Sequence, residues 1–566
     1  MAQTTQRESV ARVRESSHAR VVIIGGGING IAAFRDLAMQ GIDVLLVERA
    51  DFASGASSAS SHMIHGGIRY LENGEFRLVK ESVQERNDLL RTAPHYVRPL
   101  RTTIPIYSTF SGILSAPLRF LTHGQGKPRE RGALLIKTGL VLYDTFSRDG
   151  GTVPRHHFVG HEKSLRQLPK LDPRVKYTAT YYDASAHDPE RLALDVLHDG
   201  RRAGGVALNY VEAVGLSSDG VELLDHESGE RFTVGTDIVV NASGPWTDIT
   251  NEALGTPTAF MGGTKGSHIV LDHPELLEAT AGREIFFEHS DGRIVLIYPL
   301  KGRVLVGTTD INADPREPAV CTEEEIDYFF DLIGHVFPAI EVDRSQIVYR
   351  FSGIRPLPHH DDTAPGFVSR DYRIEHRHDA GTPPVLSLVG GKWTTFRALG
   401  ESLADRVLEE LGAPRRCSTK GVRIGGGNGF PRTPRRRRQW LNETVGDTPR
   451  GHVLLERYGT RAAHVGEFLA EGDDAPLLGD TLSTREVLWM IDHEDARHIG
   501  DIIFRRTDLA FTGHTDAATL RAVAEAMAVA LDWDADRVDE EIGLVVDQLC
   551  RYHGVTVDEV TAASSQ

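Results

Sequence analysis

The sequence predicts an α/β protein with an all-helical C-terminal part. Three observations predict it. The apolar run Val21-Val22-Ile23-Ile24 passes at once into Gly25-Gly26-Gly27-Ile28-Asn29-Gly30 and then into a helical pattern. Further apolar runs near residues 204–215, 233–241 and 384–390 read as later strands of the same sheet, so that layer is discontinuous in sequence. After residue 446 the apolar residues recur at helical spacing: Leu520, Val523, Met527 and Leu531 share one face, and Val538, Ile542 and Leu549 another.

The first element carries the clearest chemistry. Gly25, Gly27 and Gly30 satisfy G-x-G-x-x-G between a strand and a helix, and a second strand, Val44–Val47, ends in Glu48. The first glycine makes the turn, the second admits a pyrophosphate to the backbone, and the third lets helix pack on strand. The helix N-terminus attracts phosphate, and Glu48 is spaced to meet a ribose hydroxyl. This is a Rossmann-like dinucleotide site. The fingerprint alone leaves FAD and NAD open.

Composition narrows the partners. The chain has 566 residues and a formal charge of −17. That length is enough for about three or four domain-sized units. The net acidity argues against nucleic acid. Cys321, Cys417 and Cys550 are too scattered for a disulfide framework or a zinc site, and no metal site is expected. No signal peptide and no run long enough to span a bilayer are expected. Residues 1–19 are polar and aperiodic, which reads as a disordered tail.

Next comes Ser54-Gly55-Ala56-Ser57-Ser58-Ala59-Ser60-Ser61-His62-Met63-Ile64-His65-Gly66-Gly67-Ile68-Arg69-Tyr70-Leu71. Its small residues suit a flat ligand. Asn241-Ala242-Ser243-Gly244-Pro245-Trp246, Lys265-Gly266-Ser267-His268, Gly307-Thr308-Thr309-Asp310, Phe351–Leu357, Ser369-Arg370-Asp371-Tyr372 and Gly390-Gly391-Lys392-Trp393-Thr394-Thr395-Phe396-Arg397 follow in order. Together these motifs resemble the FAD-dependent, aerobic-type sn-glycerol-3-phosphate dehydrogenases over about residues 20–400. His62 and Trp393 depart from that pattern, where members often carry Lys or Arg and Leu.

The resemblance implies a flavin domain of the glutathione reductase/D-amino-acid oxidase type over 20–110, 200–255 and 350–405. A substrate and membrane-docking domain with an antiparallel sheet would occupy 111–199 and 256–349. A linker over 406–445 and a helical domain over 446–566 complete the expectation. FAD would be held by Gly25, Gly27, Asn29, Gly30, Glu48, Arg49, Ser57, Ser58, Ser61, Gly66, Gly67, Gly244, Gly391, Lys392, Trp393, Thr394 and Thr395.

Oxidising an alcohol carbon needs an electron sink, a base and an anchor. The flavin is the sink. His268 is the first candidate for the base and His65 the second, because histidine titrates near neutrality. The resemblance implies that Arg69, Tyr70 and Arg370 hold the phosphate, that Arg355 stabilises the reacting oxygen, and that Lys392 reaches substrate or flavin. The implied reaction converts sn-glycerol 3-phosphate to dihydroxyacetone phosphate and passes electrons to a membrane quinone. The implied location is cytoplasmic, peripheral on the inner face of the cytoplasmic membrane, and a second copy of the chain is a further candidate partner. An oxidase passing electrons to oxygen, an amine oxidase on the same fold and a non-catalytic flavoprotein are the competing readings.

Three other segments carry expectations. Residues 133–146 read as a mostly apolar helix, either buried or lying in a membrane interface. Residues 411–442 hold many arginines and no Asp or Glu, which suits acidic lipid headgroups or solvent equally. Ser483-Thr484-Arg485-Glu486 reads as a capping box.

Overall fold

A computed structural model describes residues 7–67, 76–109, 133–147, 153–288, 294–359 and 371–556. The first layer is a six-stranded sheet in the order Arg373–Arg377, Val385–Val389, Ile238–Asn241, Val21–Ile24, Val44–Val47, Val206–Leu208. Its pairings are parallel except at the Arg373–Arg377 edge. The central strands are buried along their whole length because both faces of the sheet are covered. The helices Ile28–Met39, Pro189–Arg202 and Phe396–Glu410 pack together in the core on one face. On the other face lies a small antiparallel sheet of Val211–Ser217, Gly220–Asp225 and Arg231–Val234.

The second layer is a larger mixed sheet. Its main path runs Ile311–Asn312, Met261–Leu271, Arg303–Gly307, Ile294–Leu300, Glu284–Glu288, Val97–Ile106, Tyr177–Ala186, Met63–Ile64. It is antiparallel as expected, apart from the parallel pair Glu284–Glu288 with Val97–Ile106. Lys301 and Gly302 both take positive φ, which makes the tight hairpin between two of its strands. The strand Ile347–Pro358 also belongs to this sheet, paired along Met261–Leu271. It therefore departs from the flavin-domain grouping of 350–405, and its motif reaches the site from the substrate side.

Several expectations need correction. Residues 8–16 form a helix that buries Val10 and Val13. The buried Arg7 donates to Asn209 Oδ1 at 3.0 Å and to Asp225 Oδ1 at 2.9 Å, so polar composition concealed an anchored segment. The expected linker is packed, with Thr419, Ile424 and Phe430 buried and a helix over Pro434–Glu443. Some of its arginines have intramolecular partners: Arg415 pairs with Asp36 and Asp405, and Arg437 lies 5.3 Å over the Phe430 ring. Ser483 caps nothing with its side chain. Glu486 instead accepts from Arg450, Arg457 and Tyr458 in the helical core. A capping box does occur at Thr322 and Glu325.

The helix Ala133–Ser147 is two-faced. Ala133, Leu140 and Tyr143 are buried, whereas Leu134, Val141 and Leu142 are 52%, 50% and 44% exposed. No described helix is long and apolar enough to cross a membrane.

Candidate active site

The glycine turn is built as its spacing requires. Gly25 has φ +112°, and a Cβ there would meet the Ala242 carbonyl oxygen at 2.7 Å. A Cβ on Gly30 would lie 2.0 Å from the Gly25 carbonyl oxygen. Gly27 caps the Ile28–Met39 helix with no side chain of its own. Ser57 Oγ accepts from the Ile28 amide at 3.0 Å, so an oxygen already sits where a phosphate oxygen would be received. Glu48 accepts from the amides of Gly26 at 2.7 Å and Ala50 at 3.0 Å. Burial pushes its carboxyl upward, and these two amides oppose that shift.

Other expected flavin contacts converge here. Gly390 and Gly391 have φ of +93° and +118°, and a Cβ on Gly391 would meet Asn29 Nδ2 at 2.4 Å. Asn29 Oδ1 is buried without a partner among the described residues. Trp393 Nε1 donates to the Ser57 carbonyl at 3.0 Å, and Thr394 Oγ1 to the His65 carbonyl at 3.2 Å. Thr395 is buried and precedes the Phe396–Glu410 helix, and Lys392 Nζ is buried in the same turn. Gly66 donates its amide to Asp183 at 2.9 Å, and Gly67 takes φ +75°. Gly244, at φ +63°, opens the turn after Ile238–Asn241. Arg49 lies 5.4 Å over Trp246, and Ser58 Oγ donates to the Ser54 and Gly55 carbonyls.

The second sheet carries the candidate reactive groups His268 and Arg355. His268 and Phe351 are register partners, as are Thr264 and Arg355. Alternation puts His268, Gly266 and Arg355 on one face. Gly266 leaves room for the guanidinium there: a Cβ would lie 2.1 Å from Arg355 Nη2 and displace it. Arg355 donates to Asp310 Oδ1 at 2.8 Å, and to Thr308 Oγ1 and the Thr309 carbonyl at 3.0 Å. His268 is buried and stacks on Phe351 at 4.7 Å. Its Nε2 is 2.8 Å from Ser61 Oγ, and its Nδ1 has no partner among the described residues. Burial, then the charges of Arg355 and His62, hold its pKa well below the usual imidazole value. A Cβ on Gly353 would meet Ala59 Cβ at 2.4 Å, so the serine-rich loop lies against this face.

The opposite face holds residues whose role the sequence did not reveal. Glu325 accepts from Lys265 Nζ, Ser267 Oγ and Thr309 Oγ1 within 2.6–2.8 Å. Alternation through Lys265-Gly266-Ser267-His268 thus sends odd positions to a supporting carboxylate and even positions toward the flavin loops. The capping-box spacing of Thr322 and Glu325 was the available signal. Arg69, Tyr70 and Arg370 lie outside the described residues. A cavity of about 490 Å³ is lined by Arg49, Ser58, Ala59 and Gly353 on one side and by Phe504 and Phe511 of the C-terminal helices on the other, and the glycine turn does not line it.

The glycine cradle, the orphaned Asn29 oxygen and the Ser57 hydroxyl at the helix start all fit a flavin dinucleotide. A family model for FAD dependent oxidoreductases matches residues 20–406. One for the C-terminal domain of alpha-glycerophosphate oxidase matches 417–538. The glycerol-3-phosphate dehydrogenase of Synechocystis sp. is 34% identical over 550 residues, covering 92% of this chain and 94% of its own. This chain belongs to the FAD-dependent glycerol-3-phosphate dehydrogenase family. FAD is its cofactor. The aerobic glycerol-3-phosphate dehydrogenase of Escherichia coli is 30% identical, covering 86% of this chain and 93% of its own. The FAD-complexed glycerol-3-phosphate dehydrogenase of Bacillus halodurans shares the fold at a TM-score of 0.74, with 23% identity and 96% of each chain covered.

Proposed function

We propose that this family member oxidises sn-glycerol 3-phosphate to dihydroxyacetone phosphate and delivers the electrons to a membrane quinone. The observation that carries the reading is that His268 and Arg355 share the sheet face that meets the Ala59–Ser61 loop. Bound FAD supplies the hydride acceptor. His268 is kept neutral, so it is able to take the hydroxyl proton, and its Nδ1, which has no partner among the described residues, is the available acceptor. Arg355 is fixed by Asp310 and Thr308, so its charge is aimed before substrate arrives. The phosphate anchors remain those implied by resemblance: Arg69, Tyr70 and Arg370, with Lys392 beside the flavin turn. His65 presents its carbonyl to Thr394, which suits a role in shaping the flavin pocket.

For the acceptor, the support is the helix Ala133–Ser147. Its exposed Leu134, Val141 and Leu142 suit a peripheral hold on the inner face of the cytoplasmic membrane. Oxygen is the competing acceptor, because the match over 417–538 carries an oxidase's name.

The test is anaerobic mixing of the yellow protein with glycerol 3-phosphate, followed by a quinone or by oxygen. The proposal requires bleaching that quinone reverses quickly and oxygen slowly. Rapid reversal by oxygen with peroxide formed would make it an oxidase. No bleaching would remove glycerol 3-phosphate as the substrate; the D-erythritol 1-phosphate dehydrogenase of Brucella abortus, 32% identical, makes a phosphorylated tetritol the next to try.

A further inference from the structure

The helical domain contains no residue of the proposed chemistry, yet it reaches the cofactor loop. Asp51 lies three residues past Glu48 and is 1% exposed. Arg506 Nη2 donates to its Oδ1 at 2.9 Å and Nη1 to its Oδ2 at 2.5 Å. Arg505 Nε donates to Oδ2 at 2.5 Å, and Asn209 Nδ2 to Oδ1 at 3.2 Å. Consecutive residues of an α-helix point about 100° apart. Here residues Ile502–Arg506 form a π-turn, a device concentrated at functional positions, and both long side chains end on one carboxylate. Arg506 is fully buried and also donates to the Glu494 carbonyl at 2.6 Å.

The segment that Asp51 anchors makes the nucleotide cradle. Glu48 receives the Gly26 amide, and the Ala53 amide donates back to the Gly26 carbonyl at 2.9 Å. Ala53 sits at φ +59°. Phe52 is fully buried, and a Cβ on Gly26 would come within 3.0 Å of its ring. A continuous path therefore runs from Arg505 and Arg506 through Asp51 to the glycine turn and Glu48. Other ion pairs join the same two parts without touching this segment: Arg191 with Glu494, and Arg461 with Asp195.

We propose that the C-terminal helical domain is a lock on the cofactor: Arg505 and Arg506, acting through Asp51 as positioning residues, hold the Glu48–Ala53 segment in the conformation that receives FAD. Docking of the domain and binding of FAD are then coupled, each strengthening the other by the same factor.

The test is FAD titration of the full-length deflavinated protein by flavin fluorescence, with thermal unfolding of each variant alongside. Arg506→Met is expected to raise the FAD Kd at least tenfold and to shrink the rise in Tm that FAD confers. Arg505→Met leaves Arg506 in place, is the milder variant, and should raise Kd severalfold. Asp51→Asn combined with Arg506→Met should cost no more than the larger single change. Arg461→Met, at the other seam, should lower Tm while leaving Kd within twofold of the parent. The lock is overturned if Arg505→Met and Arg506→Met lower Tm but bind FAD as the parent does. It is equally overturned if Arg461→Met weakens FAD as much as Arg506→Met.

Discussion

At the scale of single residues, the site depends on alternation along two strands. His268→Asn keeps the shape near Phe351 and removes a titrating base. Flavin reduction should slow by about 100- to 10,000-fold in stopped-flow mixing, with the flavin spectrum unchanged. An unaltered rate would move the base elsewhere, His65 being next. Gly266→Ala introduces a methyl where Arg355 Nη2 lies 2.1 Å away. It should lower kcat at least tenfold and leave FAD bound, and parental turnover would show that Arg355 tolerates displacement. The glycine fingerprint and the strand that ends in Glu48 were legible in sequence, because backbone turns demand particular residues. The roles of Glu325 and Asp51 were not, because a buried acid's partners come from distant segments: the capping-box spacing marks Glu325 as a helix start but not as the acceptor for Lys265, Ser267 and Thr309, and nothing local marks Asp51.

At the scale of elements, the helix Ala133–Ser147 was legible as apolar but not as two-faced, since the faces depend on what packs against Ala133, Leu140 and Tyr143. Replacing Leu134, Val141 and Leu142 together by Ser should release the protein from anionic vesicles in a flotation assay. Each exposed change should alter stability by only about 0.5 kcal/mol. Retained flotation would remove this helix as the docking surface. The helix Thr484–Glu494 shows the opposite failure. Ser483 and Glu486 have capping-box spacing, yet the carboxylate turns inward to Arg457 and Arg450. A satisfied buried ion network outcompetes a cap there. Glu486→Leu leaves two cations unpaired and should destabilise the protein by about 3–5 kcal/mol in urea unfolding. A loss below 1 kcal/mol, within the range of exposed pairs, would mean that solvent reaches them.

At the scale of the whole molecule, the seam between the nucleotide sheet and the helical domain is charged, and its response to pH has two arms. Burial holds His62, His187 and His553 at about 4. Between about 6.5 and 4 the unfolded chain takes protons that the folded one refuses, so stability should fall as pH drops through that window. His498 lies between Glu227 at 3.1 Å and Glu541 at 2.7 Å. These carboxylates overcome the cost of burial and raise it to about 10. Its contribution is complete below about 6.5 and is lost as pH rises through about 10. Tm measured across pH 4–10 should show both arms, and His498→Gln should remove the alkaline one; an unchanged alkaline arm would assign it to other groups. The order of the chain adds a dimension of time. Asp51 and Arg506 are 455 positions apart. At about 5–20 residues per second, a ribosome takes roughly 20–90 seconds to bring the second after the first. During that interval the finished glycine turn is attached to a carboxylate whose cations do not yet exist. The glycine turn is among the first parts of the protein to be made, and on the proposed lock a chain cut short before residue 505 is expected to bind FAD more weakly than the full chain.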